Sequence, residues 1–175
     1  WHLYIEWKDP GLGRDHLAHA RQLDRLLELA ERYDIYLILC LDYHGEAQKE
    51  KGYFNENSWG ENPYNAANGG PCAGPADLFT DTRARAIYRK RLRYLAARYG
   101  FSPRILCWEL WNEVDLTAGE PAAVVDWHRE MARELRRLDP HGHLISTSFV
   151  REGWPAMYAL PELDVPAVDC GKELK

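Results

Sequence analysis

The stretch Ile105-Leu106-Cys107-Trp108-Glu109-Leu110-Trp111-Asn112-Glu113 is an apolar run that ends in a carboxamide and a carboxylic acid before a polar loop. That order suits sugar chemistry at a strand end. An acid at the mouth of a buried strand is partly desolvated, so its pKa rises toward the range in which it can protonate a leaving oxygen near neutral pH. The amide beside it can hydrogen-bond a sugar hydroxyl, and indoles offer flat faces to pyranose rings.

Around this run the chain alternates between helix-like and strand-like segments. Upstream, the periodicity predicts a helix from Asp15 to Arg32, with Leu17, Ala20, Leu23, Leu27 and Ala30 on one stripe and Asp15 as its N-cap. An apolar strand from Ile35 to Asp42 follows, of the kind covered on both faces. The segment Tyr43 to Asp81 is rich in Gly, Asn, Pro and aromatic residues. It shows no clear element of its own, and a connection of that length is usually functional. A second helix spans Thr82 to Tyr99, with Ala84, Tyr88, Leu92, Leu95 and Tyr99 on one side and Gly100 as its stop. Downstream, Pro121 opens a third helix carrying Val124, His128, Met131, Leu135 and Leu138, ended by Asp139-Pro140-His141-Gly142. His143 to Phe149 reads as the next strand, and Leu163 to Cys170 as the region where another begins.

Strands separated by helices imply a parallel sheet built from right-handed βαβ units. A barrel and an open doubly wound sheet both satisfy this. The open sheet would normally show a Gly-rich phosphate loop after a strand, and no strand here is followed by one. Polar residues instead recur at successive strand ends: Asp42 and His44, Asn112 and Glu113, Ser146 and Ser148. That distribution favours the barrel. A complete (β/α)8 barrel takes ~250 residues, and this chain has 175. The expectation is therefore one incomplete α/β domain over residues 1–175, a partial (β/α)8 TIM barrel of roughly strands 2 to 5 or 6. Trp1 already lies in a strand-like run, Trp1 to Trp7, as expected of an internal fragment.

Composition narrows the partners. A net charge of −5 argues against a polyanion, and the Arg-rich stretch from Arg83 to Arg98 reads as a solvated helix face rather than a nucleic-acid patch. No run has the length and apolarity of a membrane span. The four cysteines contain no CxxC. Cys40 and Cys107 are expected to be buried thiols, while Cys72, in a Gly/Pro-rich loop, could pair with a partner outside this fragment. His141-Gly142-His143 has a metal-like look, but a structural turn explains it better. No cofactor or metal is expected.

Trp108-Glu109-Leu110-Trp111-Asn112-Glu113 resembles the fourth-strand motif of clan A glycoside hydrolases, the retaining enzymes on (β/α)8 barrels typified by family 5. The likeness extends upstream. Leu41-Asp42-Tyr43-His44-Gly45 is similar to the Asp-x-His-Gly strand end of that family, and Leu23 to Ala30 to the helix preceding it. The resemblance implies a general acid/base at Glu113, a sugar 2-hydroxyl contact at Asn112 and a substrate contact at His44. It also implies a nucleophilic Glu on strand seven, which lies beyond this chain. Glu162 and Glu173 sit in no strand-terminal motif, and the family's strand-two Arg and strand-six His/Tyr pattern are not found here.

Trp59 and Tyr64, with Tyr53 and Phe54, are candidate aromatic platforms in the long loop, and Trp111, like Trp108, suits core or platform equally. Glu109 reads as a buried structural carboxylate. Simple alternation puts Asn112 opposite Glu113, so both reach one site only if the strand end kinks. The expected activity is hydrolysis of β-linked oligo- or polysaccharides by double displacement, with this fragment alone inactive. A carbohydrate-binding pseudoenzyme and a metal-dependent barrel hydrolase are the alternatives. Carbohydrate is the expected partner.

Overall fold

The computed structural model describes residues 12, 17–48, 58–150 and 154–168. The chain runs α1 (Leu17–Arg32), β1 (Leu37–Cys40), α2 (Asp77–Thr80), α3 (Thr82–Tyr99), β2 (Ile105–Glu109), α4 (Pro121–Leu138), β3 (Leu144–Ser146), β4 (Ser148–Phe149), α5 (Pro155–Tyr158) and β5 (Ala167–Val168). Strands β1, β2 and β3 form a parallel sheet in sequence order, and β4 pairs in parallel with β5. This is a partial (β/α)8 barrel, with neighbours in sequence lying next to each other in space.

Register explains how the sheet divides inside from outside. Leu39, Trp108 and Ile145 stand in one row across three strands, all buried against the helices. The rows on either side belong to the other face: Ile38, Cys107 and Leu144, then Cys40, Glu109 and Ser146. Ile38 and Leu144 on that inner face are exposed. The register slips between Leu37 and Ile38, where Leu106 has no partner, and this β-bulge adds local twist.

The helices bury the stripes that their spacing predicts. In α1 these are Ala20, Leu23, Leu27 and Ala30, whereas Leu17, expected on the stripe, is exposed. The expected N-cap Asp15 lies outside the described residues, as do Tyr53, Phe54, Cys170, Glu173 and the run Trp1 to Trp7. Helix α3 begins where Asp81 accepts the Ala84 N–H at 2.7 Å, an N-cap that satisfies one of the orphan donors of the first turn. It ends at Tyr99 as expected. Gly100, however, is right-handed at φ −60°, and glycine is needed there because a Cβ would lie 2.6 Å from the Ala96 carbonyl. In α4, Val124, His128, Met131 and Leu135 are fully buried.

The strands are shorter than their apolar runs. Ile35 and Tyr36 are exposed and precede β1. The predicted strand His143 to Phe149 is interrupted at Thr147, whose side chain is drawn to α4: its hydroxyl lies 3.1 Å from His128 Nε2. The long connection has elements of its own, contrary to expectation. Within it, 3-10 turns at Ser58–Glu61 and Ala66–Asn68 are tied by asparagine side chains. Asn65 donates to Trp59 O, and Asn68 to both Gly60 O and Asn62 O. Trp59, Tyr64, Cys72 and Ala84 form a small core beneath these turns.

Candidate active site

Two strand ends are joined side by side. The Asn112 N–H donates to Asp42 O at 2.9 Å and the His44 N–H to Asn112 O at 3.2 Å, so Tyr43 and Asn112 make a parallel bridge beyond the regular sheet. Immediately after it Glu113 takes φ 54°, ψ 47°. A left-handed backbone is strained for a residue with a Cβ, and such outliers persist where their surroundings over-determine them. The turn is the kink that alternation called for. It lets Asn112 and Glu113 share one partner: Ser148 Oγ accepts the Asn112 Nδ2–H at 3.0 Å and the Glu113 N–H at 3.1 Å.

On the other side, His44 Nδ1 lies 3.0 Å from Glu113 Oε2, with the two side chains 15% and 24% exposed. The carboxyl is thus drawn out of bulk water yet still reachable. Gly45 makes the His44 turn possible, because any Cβ there would collide with the Tyr43 ring. The turn is fastened to the long loop, where Asn62 Nδ2 donates to Glu46 O at 3.0 Å.

Beneath this turn is a buried charge cluster. Asp42 accepts from Tyr88 Oη at 2.6 Å and from Arg91 Nη1 at 2.7 Å, and Arg91 also donates to Leu41 O. Glu46 hydrogen-bonds the Asp42 carboxyl. Burial pushes both carboxyls up, and at Glu46 the neighbouring Asp42 charge adds to it. At Asp42 the Arg91 charge and the Tyr88 hydroxyl oppose burial. Asp42 is therefore the member that carries the charge, and Glu46 the one that keeps the proton. Arg91 was missed within the Arg-rich stretch, although it follows Tyr88 by three residues and precedes Leu95 by four, which puts it on the buried side.

The structure brings Glu113, Asn112 and His44 together. It does not bring Trp59, Tyr64 or Trp111 to them. Trp59 and Tyr64 are 4% and 6% exposed inside the loop core. Trp111 is 3% exposed, packed between Phe79 and Trp127 at ring distances of 5.3 and 6.3 Å. The reason is the same in each case: a large apolar ring is better stabilised in packed protein than at a wet rim. Glu109 stands half-buried on the inner face between Cys40 and Ser146.

The remaining candidates are structural. His143 is held between Asp139, 2.8 Å from Nδ1, and Ser102 O, 3.0 Å from Nε2. Among the described residues no three His, Cys, Asp or Glu side chains come together as a metal group. Cys72 is buried as a free thiol among the described residues, and burial pushes its pKa up to about 12. Cys40 and Cys107 are also buried free thiols. Their pKa values are raised first by burial and then by the Glu109 charge.

No sequence-family model matches the chain. Mannan endo-1,4-beta-mannosidase F of Aspergillus fumigatus is 24% identical over 153 residues, covering 83% of this chain and 31% of that protein. The structure of an exo-beta-1,4-mannosidase from an Opitutaceae bacterium superposes with a TM-score of 0.67 at 17% identity, covering 95% of this chain and 30% of that one. An endo-beta-1,4-mannanase from Thermotoga petrophila gives 0.63 at 19%, covering 85% and 36%. The chain is similar in sequence to mannan endo-1,4-beta-mannosidases and in fold to clan A, family 5-like glycoside hydrolases. It spans about a third of the length of the curated relative above. Within that span, the family 5-like motif Asp-Tyr-His-Gly and the Asn-Glu pair are the two strand ends joined by the Tyr43–Asn112 bridge.

Proposed function

We propose that this chain carries the acid/base half of a retaining β-glycosidase site acting on β-linked mannan or a related polysaccharide. The observation that carries the reading is the left-handed turn at Glu113, which sets its carboxyl 3.0 Å from His44 while Asn112 is held beside it by Ser148. In this reading Glu113 protonates the glycosidic oxygen as the bond breaks. A nucleophilic carboxylate from another strand traps the sugar, and Glu113 then deprotonates the water that releases it. Such paired carboxyls stand ~5 Å apart in retaining enzymes. Asn112 orients the sugar through a hydroxyl, and His44 contacts substrate while fixing the Glu113 carboxyl. The β-1,4-mannosidase and mannanase relatives support the choice of substrate.

Glu113→Gln in the full-length protein tests this. It keeps shape and removes both the proton donor and the later base, which is worth ~10²–10⁴-fold. The loss should be smaller for activated aryl glycosides, and azide should restore turnover by attacking the intermediate without a general base. The alkaline limb of the pH–rate profile should flatten. Natural-substrate hydrolysis within a few-fold of the parent would overturn the assignment and make Glu109 the next residue to test.

A further inference from the structure

Ser148 belongs to a different βα unit from Glu113, yet it bonds three successive residues of the corner, Trp111, Asn112 and Glu113. It is 3% exposed. Its own N–H donates to Trp111 O at 2.9 Å. Its Oγ accepts the Asn112 side-chain N–H at 3.0 Å and the Glu113 backbone N–H at 3.1 Å. A serine hydroxyl has two acceptor positions, and these two donors take both.

Each of the two bonds answers a need created by the corner. When Glu113 turns left-handed its N–H leaves the direction of the strand ladder, and a backbone N–H in the interior must find a partner. A carboxamide on a rotatable side chain needs at least one fixed bond to hold its plane toward a ligand. One oxygen meets both needs, so the orientation of Asn112 and the backbone of Glu113 are set relative to each other.

The placement of that oxygen is itself backed from behind. Thr147, the residue before it, donates through Oγ1 to Trp111 O at 2.9 Å. The same hydroxyl lies 3.1 Å from His128 Nε2, and His128 Nδ1 is 2.8 Å from Val124 O within α4. The strand interruption at Thr147 is what turns Thr147 toward the helix while Ser148 faces the corner.

We propose that Ser148 is a positioning residue for the acid/base, holding Glu113 and Asn112 in register for proton transfer to the glycosidic oxygen. This rests on the assignment of Glu113 above. It acts through Glu113 and need not touch the reacting atoms. Small displacements of a reacting group can cost ~10²-fold, so removing the hydroxyl should be felt mainly in the step that needs the proton.

The experiment compares Ser148→Ala, Ser148→Thr, Glu113→Gln and the double variant Ser148→Ala/Glu113→Gln in the full-length protein, with melting temperature recorded for each. Ser148→Ala should lower kcat on the polysaccharide ~10–100-fold, with a smaller change in KM, and lower turnover of an activated aryl glycoside by much less. Ser148→Thr, which keeps the oxygen, should recover part of the loss. In the Glu113→Gln background Ser148→Ala should add almost nothing, because the group it positions has gone. A folded Ser148→Ala protein within three-fold of the parent, beside a disabled Glu113→Gln, would overturn the proposal and leave the acid/base reading standing. Equal losses on both substrates with full additivity would also overturn it, showing a merely structural role. Parental activity in Glu113→Gln would remove the acid/base reading and the Ser148 proposal with it.

Discussion

His44 Nδ1 and Glu113 Oε2 lie 3.0 Å apart, although the two residues end different strands and are separated by the whole of α3. The contact exists because the Tyr43–Asn112 bridge carries the pairing of β1 and β2 past the last ladder residues, Cys40 and Glu109. His44→Ala in the full-length protein should lower kcat/KM ~10–100-fold, because it removes the group lying against the Glu113 carboxyl and small displacements of a reacting group can cost ~10²-fold. Steady-state kinetics on a soluble oligosaccharide checks this, and an unchanged kcat/KM would show that the contact is incidental.

The left-handed backbone at Glu113 costs stability for the sake of placement. Asn occupies that region more readily than Glu, so Glu113→Asn should stabilise the full-length protein by up to ~1 kcal/mol while abolishing hydrolysis. Denaturant titration decides it. A destabilised Glu113→Asn variant would mean that the Glu113 side chain stabilises the corner more than its backbone strains it.

Arg91→Met leaves the Asp42 carboxylate buried without its counter-charge. Breaking one partner of a buried pair costs ~3–5 kcal/mol, and the same substitution loosens the turn that carries His44. Glu46→Gln keeps a donor toward Asp42 and should cost clearly less stability than Arg91→Met. Equilibrium unfolding of both variants separates them; equal losses would contradict the assignment of charge to Asp42 and proton to Glu46.

Burial lowers the pKa of His128 from the ordinary 6.5 to about 4, against a smaller opposing effect of its bond to Val124 O. Between those values the unfolded chain binds a proton that the folded chain refuses. Stability from this group is therefore full above pH ~6.5 and is lost as the pH falls to about 4, by ~3 kcal/mol in all. His128→Gln should lose less stability over that window than the parent. Parallel stability-against-pH curves for the two would refute the account.

Trp111 is core, not platform. Trp111→Phe should cost ~1–3 kcal/mol of stability through the space it opens beside Phe79 and Trp127, with KM unchanged. A raised KM at unchanged melting temperature would return Trp111 to the substrate.

Much of this protein was legible from local pattern. Periodicity located the buried stripes of α3 and α4 because side-chain spacing on a helix needs only nearby residues to be read. The apolar run ending in Asn112-Glu113, with Asp42-Tyr43-His44-Gly45 one unit earlier, marked the two strand ends that meet. Aromatic content misled: Trp59, Tyr64 and Trp111 are equally good as rim or as core by composition, and only packing against partners distant in sequence separates the two. The same holds for Arg91, whose charge reads as solvent-facing until Asp42 is placed against it. Alternation calls for a kink at Asn112-Glu113, but nothing in Asn-Glu-Val says that Glu113 takes it left-handed. That turn is imposed by Ser148 and by the bridge to Tyr43, contacts between separate βα units. Sequence determined which groups stand at the strand ends; tertiary structure decided which of them meet, because meeting depends on register and burial that no single segment contains.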